Sequence, residues 1–268
     1  MDHTRVTEYL ARLGTPRPAA PDLAALRTLQ RAHPMAIPFE NLSVRLGEPI
    51  TLTEEALVAK VLDRRRGGYC YELNGAFAAL LTALGYRVEL LSGRVLARGG
   101  AGLPFDHLAL RVWLDGEAWL VDVGFGQLSA EPLRLAERGE QQDAFGTFRI
   151  TEHLPTGVSG TTTDPLPDLD VAQDGEVQFR LDQRPYQLTD FVPACWYQST
   201  SPDSPFTGRT LCSRLTPQGR ETLVGGVLIR TVDGEQTREE LTTAEEQRSA
   251  YRELFGIELT LDEVKRLS

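Results

Sequence analysis

Apolar residues fall at helical spacing through the first third of the chain. Val6, Leu10 and Leu13 repeat at three and four residues and stop at Gly14. A loop built on Pro16, Pro18 and Pro21 follows. Leu23, Leu26 and Leu29 then mark a second, short helix with Asp22 near its start. Thr53 is a cap for a third helix carrying Leu57, Val61 and Leu62, because a threonine oxygen accepts from the free N–H groups of a first turn. The clearest helix has Leu73, Phe77, Leu80, Leu81 and Leu84 on one face and is terminated by Gly85. The period then changes. Residues 87–96, 107–114 and 117–123 alternate as strands, with β-branched and aromatic side chains enriched. Asp115-Gly116 predicts a two-residue hairpin turn, which needs positive φ at both positions. Short strands are expected near 147–152, 177–181 and 186–192, and a long Thr-, Asp-, Gly- and Pro-rich loop over 156–175. Residues 222–231 and 235–240 form a further expected hairpin around Asp233-Gly234. Thr243 with Glu246, and Thr260 with Glu263, are capping-box pairs that open two last helices. Helices, then strands, then mixed structure is the order of an α+β chain. It is not the alternation of a parallel doubly wound sheet.

Composition narrows the function classes. The chain has 268 residues, 41% hydrophobic and 25% charged, which excludes disorder and leaves enough apolar material for a core. Its 28 basic against 38 acidic residues leave a net charge of -10, so nucleic acid and anionic membrane are poor partners. There is no apolar run of about 18 residues and no basic-then-apolar N-terminus, so a cytoplasmic setting is expected. Cys70, Cys195 and Cys212 are odd in number and lack a spacing pattern. That argues against a disulfide framework and for a reducing compartment. None of the four histidines is spaced to share a metal with a cysteine, and no metal site is expected.

One cysteine has different company. Cys70 lies in Arg64-Arg65-Arg66-Gly67-Gly68-Tyr69-Cys70-Tyr71-Glu72-Leu73-Asn74. Two glycines allow tight backbone turns just before a helix. A helix start there aims free N–H groups and partial positive charge at the thiol, the setting that favours thiolate. A buried cysteine serving as a small hydrophobe explains the same residue equally well at this point. The arginine run reads as a solvated face.

A cysteine nucleophile needs a base, and the base needs an orienting partner. His3 lies near the terminus, His33 precedes Pro34 in a turn, and His153 sits beside Pro155 at a loop edge. His107 can be tested by register. If Asp115-Gly116 is the turn, Leu114 faces Glu117, Ala109 faces Asp122 and His107 faces Gly124. His107 and Asp122 are then diagonal neighbours on one sheet face, within side-chain reach. The other face carries Leu108, Leu110, Val112, Val121 and Val123. A purely structural His–Asp bond fits the same geometry. Asp122 in Val121-Asp122-Val123 is a costly place for a carboxylate without a partner. Gly124-Phe125-Gly126 follows, where glycines admit a ligand close to the backbone or simply turn the chain.

With these residues in place, the chain resembles the arylamine N-acetyltransferases, especially the bacterial ones, over most of its length. The resemblance rests on five blocks in the family's order. They are Ile37-Pro38-Phe39-Glu40-Asn41-Leu42, the segment from Arg66 to Asn74, Asp106-His107-Leu108-Ala109-Leu110, Val121-Asp122-Val123-Gly124-Phe125-Gly126, and Ser199-Thr200-Ser201-Pro202-Asp203-Ser204-Pro205-Phe206. The resemblance implies a catalytic triad of Cys70, His107 and Asp122. It implies an N-terminal helical bundle over 1–86 carrying the nucleophile, a β-barrel-like domain over 87–192 carrying the histidine and aspartate, and an α/β lid over 193–268. Acetyl-CoA is the implied co-substrate, with Gly124, Phe125 and Gly126 near the acyl donor. Phe39, Phe125 and Phe206 are the implied contacts for a small arylamine, arylhydrazine or hydrazide acceptor, and a homodimer is compatible. Two departures bear on acceptor specificity. Segment 164–191 is short and lacks a tryptophan before Val177-Gln178-Phe179, and Cys195 stands where the family more often has asparagine. Cys195 and Cys212 are read as bystanders. The same triad also fits an amide synthase of natural-product biosynthesis or a cysteine hydrolase, and a non-catalytic binding protein could retain the fold.

Overall fold

The structure is a computed structural model and describes residues 1–97, 100–126, 128–153 and 166–267. Five helices come first: α1 (His3–Leu13), α2 (Leu23–Ala36), α3 (Leu42–Leu46), α4 (Glu54–Leu62) and α5 (Cys70–Ala83), with strand β1 (Phe39–Glu40) before α3. Asp2, Asp22 and Thr53 cap α1, α2 and α4 through their side-chain oxygens, and Gly14 ends α1 in the left-handed conformation. Helix α2 is longer than its leucine spacing predicts. It runs through Pro34, so His33 lies inside the last turn rather than in a loop. There the ring is buried and its Nε2 is 3.0 Å from Tyr9 Oη. Helix α5 also differs from expectation. Every residue from Cys70 to Leu81 is buried, so the helix has no solvent face and forms the axis of the first core.

The middle of the chain is one antiparallel sheet. Its strands are β2 (Arg87–Ala97), β3 (Gly100–Ala101), β4 (His107–Leu114), β5 (Glu117–Val121), β6 (Leu133–Arg134), β7 (Glu140–Asp143), β8 (Gly146–His153), β9 (Asp168–Gln173) and β10 (Glu176–Tyr186). The order is β6-β5-β4-β2-β10-β9-β8-β7, with β3 paired to β2. The two ends nearly meet, because Asp143 Oδ2 accepts from Ala130 N and Gln141 Oε1 accepts from Arg134 N, each at 2.7 Å. The curled sheet encloses Leu91, Ala109, Leu120, Phe148, Val171 and Phe179. Its other face presents Leu108, Leu110, Val112 and Val121 to the helical core. The 107–123 hairpin is therefore buried on both faces, not on one.

The expected loop over 156–175 is corrected in its C-terminal part, where β9 pairs with β8 and β10; residues 154–165 lie outside the described ones. The strand expected at 186–192 is absent. After Tyr186 the chain makes a 3-10 turn (Leu188–Phe191) and helix α6 (Val192–Thr200). Pro193 in the first turn of α6 is a helix-start signal, and Phe191 is buried in the helical core rather than alternating along a strand.

The last part holds α7 (Pro205–Gly208), β11 (Leu211–Thr216), β12 (Gly219–Val224), β13 (Val227–Val232), β14 (Glu235–Glu240), α8 (Ala244–Phe255) and α9 (Leu261–Leu267). These strands form a second sheet, β1-β11-β12-β13-β14, whose edge strand β1 comes from the N-terminal region. The expected strand 222–231 is two strands. Gly225 and Gly226, at φ of 50° and 84°, turn the chain so that Val224 faces Val227. The hairpin at Asp233-Gly234 and both capping boxes are as predicted. The α+β expectation holds. No helix of the described residues is long and apolar enough to cross a membrane.

Candidate active site

Cys70 is the first residue of α5, where the opening N–H groups have no intrahelical acceptor. The glycines before it serve close approach rather than left-handed backbone, since neither has positive φ. A Cβ on Gly67 would stand 1.8 Å from Pro38 O, and one on Gly68 would stand 2.5 Å from Glu72 Oε2. That room lets Glu72 fold back to accept from Tyr69 N at 3.2 Å. Arg66 is buried, which corrects the reading of a solvated arginine run. Its Nε and Nη2 meet Glu40 Oε1 and Oε2 at 2.9 and 3.0 Å. Burial opposes the Glu40 charge, but Arg66 and Lys60 together with the Leu42 N–H bring its carboxyl down to about 2. Glu72, bound by Lys60 Nζ, is held above the ordinary carboxylate range by burial. Two buried ion pairs thus fix the loop that enters α5.

The hairpin register is the predicted one. Leu114 pairs with Glu117 and Leu110 with Val121, and Asp115 and Gly116 both have positive φ. His107 Nε2 lies 2.6 Å from Asp122 Oδ2. The other carboxylate oxygen accepts from Asn74 Nδ2 and from Gly124 N, each at 2.8 Å. Asn74 also donates to Leu108 O and accepts from Val123 N at 3.0 Å. It stands four residues after Cys70, on the same side of α5, and so ties the helix to the His–Asp hairpin. Sequence reasoning quoted Asn74 only as part of a motif. Its signal was the i, i+4 spacing from the cysteine. Gly93 is the second missed residue. It pairs with His107, and a Cβ there would stand 3.2 Å from the imidazole Cδ2.

His107 is buried between Phe125 and Phe179, whose ring centroids are 5.1 and 5.0 Å away. Burial works against its charged form. The Asp122 carboxylate and the neighbouring Cys70 sulfur outweigh that and push the imidazole up to about 10. The Cys70 sulfur is 3.9 Å from Asp106 O. Gly124 packs directly on the helix that begins at Cys70, because a Cβ there would stand 2.7 Å from Cys70 Cα.

These groups open on a cavity of about 790 Å³. Of the residues expected at the site, Cys70, His107, Phe39, Gly124, Phe125, Gly126 and Phe206 all line it. Asp122 does not. It lies behind His107 and lines a separate recess of about 30 Å³. The Phe39 and Phe206 rings are 6.2 Å apart, and Phe206 meets Tyr69 edge-on at 5.2 Å. Cys195 and Cys212 are buried and line neither space. Burial pushes the Cys195 thiol up to about 12, and its nearest partner is Tyr69 Oη at 3.0 Å. Among the described residues there is no cluster of His, Cys, Asp or Glu able to hold a metal.

Residues 22–264 match the family model described as N-acetyltransferase. The chain is 36% identical over 258 residues to an arylamine N-acetyltransferase of Mycolicibacterium smegmatis, covering 94% of this chain and 91% of that one. The chain belongs to the arylamine N-acetyltransferase family. Its members are acyltransferases, and solved members have the same architecture. The arylamine N-acetyltransferase of Salmonella typhimurium superposes with a TM-score of 0.87 at 31% identity, over 100% of this chain and 98% of that one. That of Mycobacterium marinum, solved in complex with CoA, superposes with a TM-score of 0.84 at 31% identity, over 98% of each chain.

Proposed function

We propose that this member of the family transfers acetyl from acetyl-CoA to a small arylamine, arylhydrazine or hydrazide through an acetyl-Cys70 intermediate. The observation that carries this reading is the 2.6 Å contact of His107 with Asp122 beside Cys70, at the wall of a cavity large enough for an acyl donor and an aromatic ring. In the division proposed, residues 1–86 supply the nucleophile, 87–192 supply the histidine and aspartate, and 193–268 form a lid.

His107 takes the thiol proton, leaving a thiolate beside an imidazolium that Asp122 stabilises and orients. The sulfur attacks the acetyl carbonyl carbon. A new C–S bond forms, the C–S bond to CoA breaks, and CoA leaves with the proton from His107. One thioester replaces another, so this half-reaction is nearly balanced. The amine nitrogen then attacks the acetyl-Cys70 carbon. The C–N bond forms, the bond to Cys70 Sγ breaks, and the amine's proton passes to His107. Free N–H groups at the start of α5 are placed to stabilise the oxyanion. Gly124, Phe125 and Gly126 hold the acyl donor, while Phe39, Phe125 and Phe206 hold the acceptor ring. No metal enters the chemistry. Because the thiol must stay reduced, the proposed setting is the cytoplasm. A homodimer is part of the proposal and is tested by sedimentation.

Initial rates of CoA release against a panel of anilines, hydrazines and hydrazides test the reading. Parallel double-reciprocal lines are expected with acetyl-CoA. Continued release beyond one equivalent per enzyme without any amine would assign a hydrolase, and inertness toward acetyl-CoA with turnover of a longer acyl thioester would assign an amide synthase.

A further inference from the structure

The segment that leads into α5 is held by four buried charges, two of each sign: Glu40, Lys60, Arg66 and Glu72. They pair differently. Arg66 engages both oxygens of Glu40 through Nε and Nη2. Lys60 Nζ reaches a single oxygen of Glu72, Oε1 at 2.5 Å, and leaves Oε2 to accept from Tyr69 N at 3.2 Å. Of the 28 basic residues only Lys60 and Lys265 are lysines. A chain that uses arginine almost everywhere thus keeps a lysine in the last turn of α4, where it is buried. A guanidinium presents a planar fork that takes a carboxylate through both oxygens, whereas an ammonium is a point donor. An arginine at position 60 would compete for the oxygen that Tyr69 N needs.

That oxygen matters because of where Tyr69 stands. It is the N-cap of α5, immediately before Cys70, and its carbonyl accepts from Glu72 N and Leu73 N at 3.0 Å each. The Lys60 carbonyl accepts from Arg66 N at 3.1 Å, so one residue anchors both ends of segment 66–72. Glu72 is the weaker acid of the two carboxyls. Burial raises it and Glu40 raises it further, while Lys60 is the main influence in the opposite direction. Arg66 before the helix, the Tyr69 phenol and Cys195 of α6 are the other titratable groups within its field. Without Lys60 the cluster would carry an uncompensated negative charge, and Glu72 would take up a proton instead. A protonated carboxyl is a poorer acceptor for Tyr69 N. We propose that Lys60 is a positioning residue for the nucleophile: its ammonium keeps Glu72 a carboxylate, and that carboxylate holds the Tyr69–Cys70 junction in register with His107. This inference rests on the acetyl-transfer reading above.

The test is the pH dependence of kcat with acetyl-CoA and an aniline acceptor, in the full chain, between about pH 6 and 10. Lys60→Met should lower kcat near neutral pH by on the order of ten- to hundred-fold, with the KM for acetyl-CoA changed less than about threefold. Its kcat should climb back as pH rises and Glu72 gives up its proton. In Lys60→Met/Glu72→Gln the amide oxygen accepts from Tyr69 N without a charge, so most of the loss should be recovered and the climb should vanish. Lys60→Met/Glu72→Leu also buries no charge, but it lacks the acceptor and should stay about tenfold slower than the glutamine variant. If Lys60→Met does not fold, the two double variants decide the matter. A loss in Lys60→Met that is equal at every pH overturns the proposal, as does equal kcat in the two double variants; either leaves Lys60 a residue of stability alone. Failure of the wild type to form acetyl-Cys70 counts instead against the acetyl-transfer reading. The same order of variants is then read from the rate at which iodoacetamide alkylates Cys70.

Discussion

The starts of α5 and α6 each bury a cysteine, and Tyr69 touches both regions. Its backbone precedes Cys70, and its hydroxyl lies on Cys195. The difference is in what surrounds the sulfur. Cys70 lines a large cavity and neighbours an imidazole whose charge Asp122 supports. Cys195 faces a phenol and the Ser199 hydroxyl region, with burial raising its thiol and no base at hand. Burial and a helical setting are therefore common to a proposed nucleophile and a packing residue. The acid–base partner separates them.

Removing the sulfur tests this contrast with the largest effect. Cys70→Ser should fold and lose at least roughly 10⁴-fold in turnover, since members of such a unit act together. Asp122→Asn comes next. It keeps the shape but turns an amide toward Asn74 Nδ2 and weakens the hold on the imidazole. A loss of about 10³- to 10⁴-fold in kcat is expected by steady-state assay, the scale seen when an orienting aspartate is neutralised. Asn74→Ala should lower kcat by roughly 10- to 100-fold and cost about 1–3 kcal/mol of stability in denaturant melts, because Asp122 Oδ1, Val123 N and Leu108 O each lose a partner.

A pH effect sharpens the comparison without changing either cysteine. His107 is raised from its ordinary 6.5 to about 10 in the folded state. The folded chain thus holds that proton more tightly, and the stabilisation is complete below pH 6.5 and lost as pH rises through about 10. The denaturation midpoint of the wild type should fall across this window, and that of Asp122→Asn should fall less. The smallest effect belongs to Cys195→Ala. Acetyl transfer should change less than about threefold, with a stability cost of about 1 kcal/mol.

The same two regions show why some of the molecule was legible in the sequence. The His107–Asp122 contact followed from register alone, because Asp115-Gly116 fixes the pairing and strand periodicity carries it eight residues outward. That Asp122 would be shut behind His107, away from the cavity, needed the helix that packs on the hairpin. Around α6 the apolar residues 186–192 were consistent with a strand. Whether Phe191 alternates along a sheet or plugs a helical core depends on partners far upstream, Tyr71 and Phe105. Arg66 was misread for the same reason, since its partner Glu40 lies 26 residues upstream. The glycines of Gly67-Gly68 and Gly124 were recognisable as special. Their reason, contact with Pro38 O, Glu72 and Cys70 Cα, is tertiary.

The central claim is that Cys70 carries the acyl group. Incubation of the wild type with acetyl-CoA alone, followed by acid quench and peptide mass mapping, tests it most directly. The account predicts one acetyl thioester on the peptide containing Cys70 and none in Cys70→Ser. Acetylation of Cys195 or Cys212, or none on any cysteine of active enzyme, would contradict it.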